Sequence, residues 1–212
     1  MSFDYDKLKN WPFEEITQTY TSRDTILYAL GVGLGADPMD EQQLQYVFEE
    51  AEPFMALPTM AVVLGSPGFW SRDPKTGIDW VKVLHGEQKM VIHNPLPTSA
   101  TIKAKSKVTG LVDKGADKGA LILTERTLKD AESGQDLATL TSTTFARGNG
   151  GYHGPSDEAP RPHKVPEREP DFAVDLTTLD MAALIYRLSG DCLLYTSPSP
   201  RDLSTSRMPS SA

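Results

Sequence analysis

The chain has 212 residues, of which 39% are hydrophobic and 24% are charged, and its formal net charge is −8. A chain of this length buries one core of ordinary size, or two small ones. The acidic balance argues against nucleic acid or an anionic membrane as the main partner, because both are bound by clustered Lys and Arg.

Two helices are predicted near the beginning of the chain. Residues 21–24 (TSRD) form a capping box, and apolar residues follow at helical spacing until a run of glycines begins at Gly31. A second amphipathic stretch spans residues 40–50, and Pro53 and Pro58 bracket the connector after it. Beyond this connector the apolar period changes from that of a helix to that of a strand.

An antiparallel sheet is predicted between residue 59 and the glycine-rich segment 148–151. Residues 102–108 alternate between small or apolar side chains and lysines, so one face of the sheet should be packed and the other solvated. Hairpin turns are expected at Lys114-Gly115 and at Ser133-Gly134. The candidate strands are 59–64, 78–84, 89–93, 101–112, 120–129 and 137–147.

The sheet is followed by a proline-rich segment and then by a new helix. Residues 155–170 contain too many prolines for regular structure and are interpreted as a linker. A last amphipathic helix is predicted to begin near Thr177, with Asp180 at its cap. The order of elements indicates the α+β class, with one structural repeat followed by the opening of a second.

Seven short segments, in order along the chain, resemble the MaoC-like, R-specific 2-enoyl-CoA hydratases. This hydratase 2 family is also found as a domain of the peroxisomal multifunctional enzyme type 2. The resemblance implies a double hot dog fold, in which two repeats of an antiparallel sheet around a helix are fused in one chain. The segments are 28–33 (YALGVG), 57–59 (LPT), 83–88 (VLHGEQ), 95–97 (PLP), 113–115 (DKG), 149–151 (NGG) and 186–191 (YRLSGD).

The resemblance divides the chain into four parts. We expect the N-terminal hot dog repeat at 1–151, a proline-rich linker at 152–174 and the start of the second, catalytic repeat at 175–191. Residues 192–212 are rich in Ser, Pro and Arg and carry no hydrophobic period. We interpret them as a non-native tail of the kind that translated adapter or vector sequence adds. A genuine disordered terminus and a degenerate, truncated paralogue are the alternatives.

The family adds water to a trans-2-enoyl-CoA and forms a (3R)-hydroxyacyl-CoA, with CoA as part of the substrate and no other cofactor. Its motif Gly-Asp-x-Asn-Pro-Leu-His directs a carboxylate and an imidazole at one water. Asp191 matches the aspartate, but Thr196 stands where the histidine is expected. A threonine hydroxyl does not titrate near neutral pH, and losing a positioned acid–base group costs about 10²–10⁴ in rate. We therefore expect this chain to be an inactive, truncated hydro-lyase.

The resemblance also assigns residues of the first repeat. Glu49 matches a glutamate that the family needs for activity, although by itself it would be an ordinary exposed helix residue. His85 and Gly86 match an acyl-CoA contact, in which glycine allows close backbone approach and the imidazole offers a ring N–H. Lys114 matches a lysine that faces the CoA phosphates, and the nearby Lys118 leaves the register open.

The expected partners are an acyl-CoA thioester and a second copy of the chain, bound through the exposed hot dog interface. The four histidines lack metal-ligand spacing and Cys192 is the only cysteine, so we expect no metal and a reducing compartment. We expect the cytoplasm for a bacterial protein, which is the preferred reading, and the peroxisome for a eukaryotic one. A non-catalytic acyl-CoA-binding or dimerisation module is the alternative function, and no motif favours a thioesterase.

Overall fold

The computed structural model describes residues 3–161, 164–175 and 178–190. Asp191 and the predicted tail at 192–212 lie outside the described residues. The α-helices are α1 (Tyr5–Lys9), α2 (Ser22–Gly31), α3 (Glu41–Val47) and α4 (Ala182–Tyr186). The strands are β1 (Ile16–Tyr20), β2 (Val83–Ile92), β3 (Ala100–Asp113), β4 (Ala120–Asp130) and β5 (Asp136–Ala146).

The five strands form one antiparallel sheet in the order β1-β3-β4-β5-β2. The predicted alternation on β3 is confirmed, since Ile102 and Ala104 are buried while Lys103 and Lys105 are exposed. The hairpin turns place Gly115 at a φ angle of 96° and Gly134 at 72°, a conformation that glycine accepts without strain. The α+β class is therefore confirmed.

The first two predicted helices are also confirmed, and each is capped by an acidic side chain. The backbone N–H of Thr21 donates to Asp24 Oδ2 at 2.8 Å, which completes the capping box of α2. Asp40 caps α3 by accepting from the N–H of Gln42 at 2.9 Å and of Gln43 at 3.3 Å.

Two of the strand predictions are wrong. Residues 59–64 lie in a 3-10 helix, Pro58–Val63, in which Pro58 occupies the first turn and Met60 and Ala61 are buried. Residues 78–82 precede the sheet and include the 3-10 turn Trp80–Lys82. Residues 83–84, at the end of the second wrong prediction, and residues 89–92, from the predicted strand 89–93, belong to a single strand, β2, which continues through a bulge. The conformation of these segments is determined by burial against the sheet and not by local β propensity.

The inner face of the sheet packs against two hydrophobic clusters. The first joins the sheet to α2 and the 3-10 helix. The second joins the other end of the sheet to the N-terminal segment and to Tyr152. Members of the first cluster include Tyr28, Met60, Ile102 and Leu128, and members of the second include Phe3, Leu8, Leu111 and Ile122.

The segment after the sheet covers an open edge of β3. Because β1 pairs with β3 only at residues 100–104, the rest of that edge has no strand partner within the described residues. The backbone N–H of Asp157 donates to Leu111 O at 2.8 Å, and its carboxylate accepts from the Leu111 N–H at 2.8 Å. The same carboxylate accepts from Lys9 Nζ at 2.9 Å, so one side chain ties α1 to the sheet edge.

The last helix begins at Ala182, later than the start predicted near Thr177, a residue outside the described part of the chain. It packs on α2 at Gly31, where an added Cβ would lie 2.9 Å from Tyr186 Cα. Residues 164–175 carry neither helix nor strand and are exposed. No helix among the described residues is both long and apolar enough to cross a bilayer.

Candidate functional site

A cavity of about 410 Å³ lies between the inner face of the sheet and the segment that follows the 3-10 helix. One wall is apolar and aromatic and is formed by Phe13, Val62, Val63, Phe69 and Trp70. The Phe13 and Trp70 rings meet edge to face with centroids 5.0 Å apart, which fixes this wall. The cavity volume falls within the range of small-molecule sites.

The opposite wall of the cavity is polar, although it lies on the core face of the sheet. Five half-buried residues form this surface, here called the polar belt: Ser106, Thr124, Arg126, Ser142 and Thr144. Strand pairing sets Arg126 opposite Ser106 and Thr124 opposite Ser142, so the belt crosses β3, β4 and β5. It lies between the two hydrophobic clusters of the inner face.

Two short hydrogen bonds hold the belt in place. Arg126 Nη2 donates to Val62 O at 2.6 Å and thereby joins the polar wall to the apolar one. The Ser142 hydroxyl donates to Gln88 Oε1, also at 2.6 Å, and connects the belt to β2. The bond to the backbone carbonyl orients the Arg126 guanidinium on the polar side of the cavity.

The structure places His85 at the cavity and Gly86 next to it, in the bulge of β2. His85 is exposed and pairs with Thr144 of the belt. The pairing register shifts between His85 and Glu87, and a Cβ on Gly86 would lie 3.0 Å from Thr143 O. Glycine at this position therefore lets the bulge lie against β5, and it brings the His85 side chain to the cavity.

In the described part of the chain, neither Glu49 nor Lys114 lines the cavity. Glu49 is exposed in the turn after α3. Lys114 is exposed in the β3–β4 turn, where its backbone N–H donates to Gly119 O at 3.0 Å. Their assigned roles, like those of His85 and Gly86, stay predictions.

The beginning of the YRLSGD segment reaches the cavity. Tyr186 and Gly190 both line it, so the chain arrives at the cavity one residue before Asp191, which lies outside the described residues.

The Tyr186 ring lies 5.8 Å from the ring of Tyr28. Burial raises the pKa of Tyr28 above its ordinary value, and hydrogen bonds to Thr59 and Tyr186 act in the opposite direction. Tyr28 is 3% exposed and packs in the first hydrophobic cluster.

Sequence reasoning missed the polar belt and the aromatic wall. A signal for the belt was present, because the core-facing positions of β4 read Ile122, Thr124, Arg126 and Leu128, with two polar residues between two apolar ones. Within the described residues, no group of three or more His, Cys, Asp or Glu side chains could hold a metal ion.

The fold and the order of motifs define a MaoC-like hot dog protein, and comparison with known proteins gives its family. The model of the MFE-2 hydratase 2 N-terminal domain matches residues 18–148. The chain belongs to this family.

A solved relative confirms the hot dog fold. The structure of the MaoC-like dehydratase from Phytophthora capsici has a TM-score of 0.75 and 34% identity, and the match covers 95% of this chain and 69% of that one.

Two curated relatives support the family assignment. The 3-hydroxyacyl-thioester dehydratase Y of Mycobacterium tuberculosis is 36% identical over 81% of this chain and 58% of its own length. The probable enoyl-CoA hydratase 2 of Dictyostelium discoideum is 34% identical over 90% of this chain and 64% of its own length. The chain thus spans about three fifths of these relatives.

Proposed function

We propose that this chain supplies the acyl-binding repeat of an enzyme that hydrates trans-2-enoyl-CoA to (3R)-hydroxyacyl-CoA. The observation that carries the proposal is the cavity, which His85 and Gly190 both line in a chain of the hydratase 2 family. The acyl group would occupy the cavity, with its thioester towards the end at which Gly190 lies.

Hydration forms a bond from the water oxygen to C3 and a bond from a proton to C2 of the enoyl group. The step needs a base for the water, an acid for C2 and donors for the charge that develops on the thioester oxygen. In this proposal Asp191 is the carboxylate of the acid–base pair and Glu49 orders the site. His85 and Gly86 contact the acyl-CoA, and Lys114 faces the CoA phosphates.

We further propose that the chain does not hydrate enoyl-CoA by itself. Thr196 stands five residues after Asp191, where the family resemblance requires a histidine. A hydroxyl group remains protonated at neutral pH and takes no proton from water, so a single carboxylate is left to handle both protons.

Joining residues 1–191 to the rest of the second repeat of a MaoC-like relative, beginning at the residue after its motif aspartate, tests both parts of the proposal. The chimera should hydrate crotonyl-CoA, which is measured as loss of the enoyl-thioester absorbance. The matched Asp191→Asn chimera should be slower by about 10²–10⁴, and the 212-residue chain should show no activity. A folded chimera without activity, or an active 212-residue chain, would refute the proposal.

A non-catalytic acyl-CoA-binding or dimerisation module is the second candidate, and the edge of the sheet favours it. Among the described residues β2 pairs with β5 alone, so one edge of this 10-residue strand has no strand partner. An open edge of this length is a surface for pairing with a second copy. Saturable acyl-CoA binding by a dimer, measured by calorimetry and light scattering, together with an inactive chimera, would select this function. The compartment and the absence of a cofactor other than CoA stay predictions.

A further inference from the structure

A second pocket, of about 200 Å³, lies beside the cavity described above and is here called the Ser189 pocket. Its volume is below that of most small-molecule sites but is large enough for several waters. The pocket leads inward from the surface, because Thr19 and Asp24 are exposed whereas Met60 and Leu64, which also line it, are buried. Its polar lining residues are Gln18, Thr19, Asp24 and Ser189.

The Ser189 pocket meets the cavity at two residues. Val63 and Gly190 line both of them. Gly190 directly precedes Asp191, the carboxylate of the proposed acid–base pair, which lies outside the described residues. The pocket therefore connects the surface with the point at which the chain enters the proposed reaction centre.

The chemistry of the pocket lining suits water. Ser189 Oγ is buried and has no hydrogen-bond partner among the described residues. Gln18 Oε1 accepts from the Gly65 N–H at 2.6 Å, which fixes the Gln18 side chain in the wall. Buried hydroxyls are ordinarily satisfied by a protein group or by an ordered water, and a polar pocket of this size provides the partners that a water needs.

We propose that the Ser189 pocket is the passage by which water enters and leaves the reaction centre while the acyl group occupies the cavity. The inference rests on the proposed function, because it takes the cavity as the acyl site. An acyl group packed on the wall of Phe13 and Trp70 displaces water from the cavity, so the water that adds to C3 needs a second entry. In the reverse dehydration the oxygen leaves C3, a proton leaves C2, and the water that they form departs through the same pocket.

Two tryptophan substitutions on α2 separate the pocket from the cavity. Leu27→Trp narrows the pocket, because Leu27 is half-buried and lines the pocket but not the cavity. Leu30→Trp is the matched control, since Leu30 is 36% exposed and lines neither. Both variants of the 212-residue chain should bind octanoyl-CoA with native affinity in calorimetry, which also checks their folding. Leu27→Phe, a smaller change, replaces Leu27→Trp if that variant does not fold.

Water exchange is measured in the chimera of residues 1–191 with the rest of the second repeat. The chimera dehydrates (3R)-3-hydroxybutyryl-CoA in ¹⁸O-labelled water, while an enoyl-CoA reductase removes the crotonyl-CoA that is released. Label then enters the remaining substrate only where water is exchanged before crotonyl-CoA leaves. Leu27→Trp should lower the ratio of label uptake to crotonyl-CoA release by about tenfold, which corresponds to about 1.4 kcal/mol in the barrier to water exchange. Leu30→Trp should leave this ratio unchanged.

The outcomes distinguish this inference from the proposed function. A ratio unaffected by Leu27→Trp, an equal fall in Leu30→Trp, or no label uptake by an active parent chimera would overturn the inference and leave the proposed function standing. Loss of octanoyl-CoA binding in Leu27→Trp alone would also overturn it, because the pocket would then be part of the acyl site. A folded parent chimera that does not dehydrate the thioester would overturn both.

Discussion

Replacing Asp157 by alanine should detach α1 from the edge of β3. The Asp157 carboxylate accepts the Leu111 N–H at 2.8 Å, Lys9 Nζ at 2.9 Å and the Tyr5 hydroxyl at 3.1 Å. Alanine leaves the Leu111 N–H without an acceptor at an edge that no strand covers within the described residues. The variant therefore loses the contact between the N-terminal helix and the sheet as well as an ion pair.

The expected loss of stability follows from the number of these hydrogen bonds and from the exposure of the Asp157 side chain. A hydrogen bond to a charged group contributes about 1.5–3 kcal/mol, but the Asp157 side chain is 32% exposed, and solvent reduces its ion pair with Lys9. We expect Asp157→Ala to lower the free energy of unfolding by about 2 kcal/mol, which corresponds to a fall in Tm of about 4–8 °C for a domain of this size. Urea unfolding followed by tryptophan fluorescence measures the change.

The stabilisation that the Asp157 carboxylate provides should also depend on pH. The hydrogen bond from the Leu111 N–H, followed by that from Lys9, lowers the pKa of Asp157. A group whose pKa is lower in the folded state stabilises the fold above its unfolded pKa of about 3.9, and this stabilisation is lost as the pH falls through the folded pKa. The native chain should therefore exceed Asp157→Asn in free energy of unfolding by the whole amount near neutral pH, and this difference should shrink below about pH 4.

Asp136→Ala is the control for the measurement near neutral pH, because Asp136 pairs with Lys129 where both side chains are more than half exposed. Its unfolding midpoint should equal that of the native chain within error. If Asp157→Ala behaved like Asp136→Ala, or if the difference persisted unchanged in acid, the carboxylate would not be the group that holds α1 to the sheet.

Two further predictions concern the core and the docking of the last helix. Leu128→Ala removes a fully buried side chain from the central strand β4 and should cost about 2–5 kcal/mol in chemical denaturation, whereas Val81→Ala, at a position 72% exposed, should have little effect. Gly31→Ala puts a Cβ against the backbone of Tyr186 and should displace α4, so trypsin should cleave after Arg187 faster while the unfolding midpoint of the sheet stays unchanged. Unaltered cleavage would show that α4 does not depend on this contact.

The sheet was predictable wherever its strands are long and its pattern is local. The three strands β3, β4 and β5 were found to within a residue or two because period-2 alternation and glycine turns mark them in the sequence. The 3-10 helix Pro58–Val63 was mistaken for a strand because β-branched residues dominate it, and its conformation is decided by burial under the sheet. The five-residue elements α1 and β1 are too short to show a period and were missed.

The candidate site was predictable only in part, because its walls come from distant segments. The resemblance led to His85 and to the segment 186–191, of which Tyr186 and Gly190 line the cavity as His85 does. The belt was missed because Thr124 and Ser142 look like ordinary strand residues until the register sets them side by side on the core face. The contribution of Phe13 depends on long-range packing against Trp70, which no local pattern indicates.

The cavity also joins the sheet to the last described segment of the chain, residues 178–190. Its sheet wall and its aromatic wall come from the first repeat, but Tyr186 and Gly190 complete its lining. These residues are held there by α2, since Tyr186 packs on Tyr28 and its backbone fits against the surface that Gly31 leaves open. The helix that closes the core of the first repeat therefore also positions the segment leading to Asp191. A substitution in α2 should therefore move Tyr186 and Gly190, and so alter the lining of the cavity, although α2 does not itself line it.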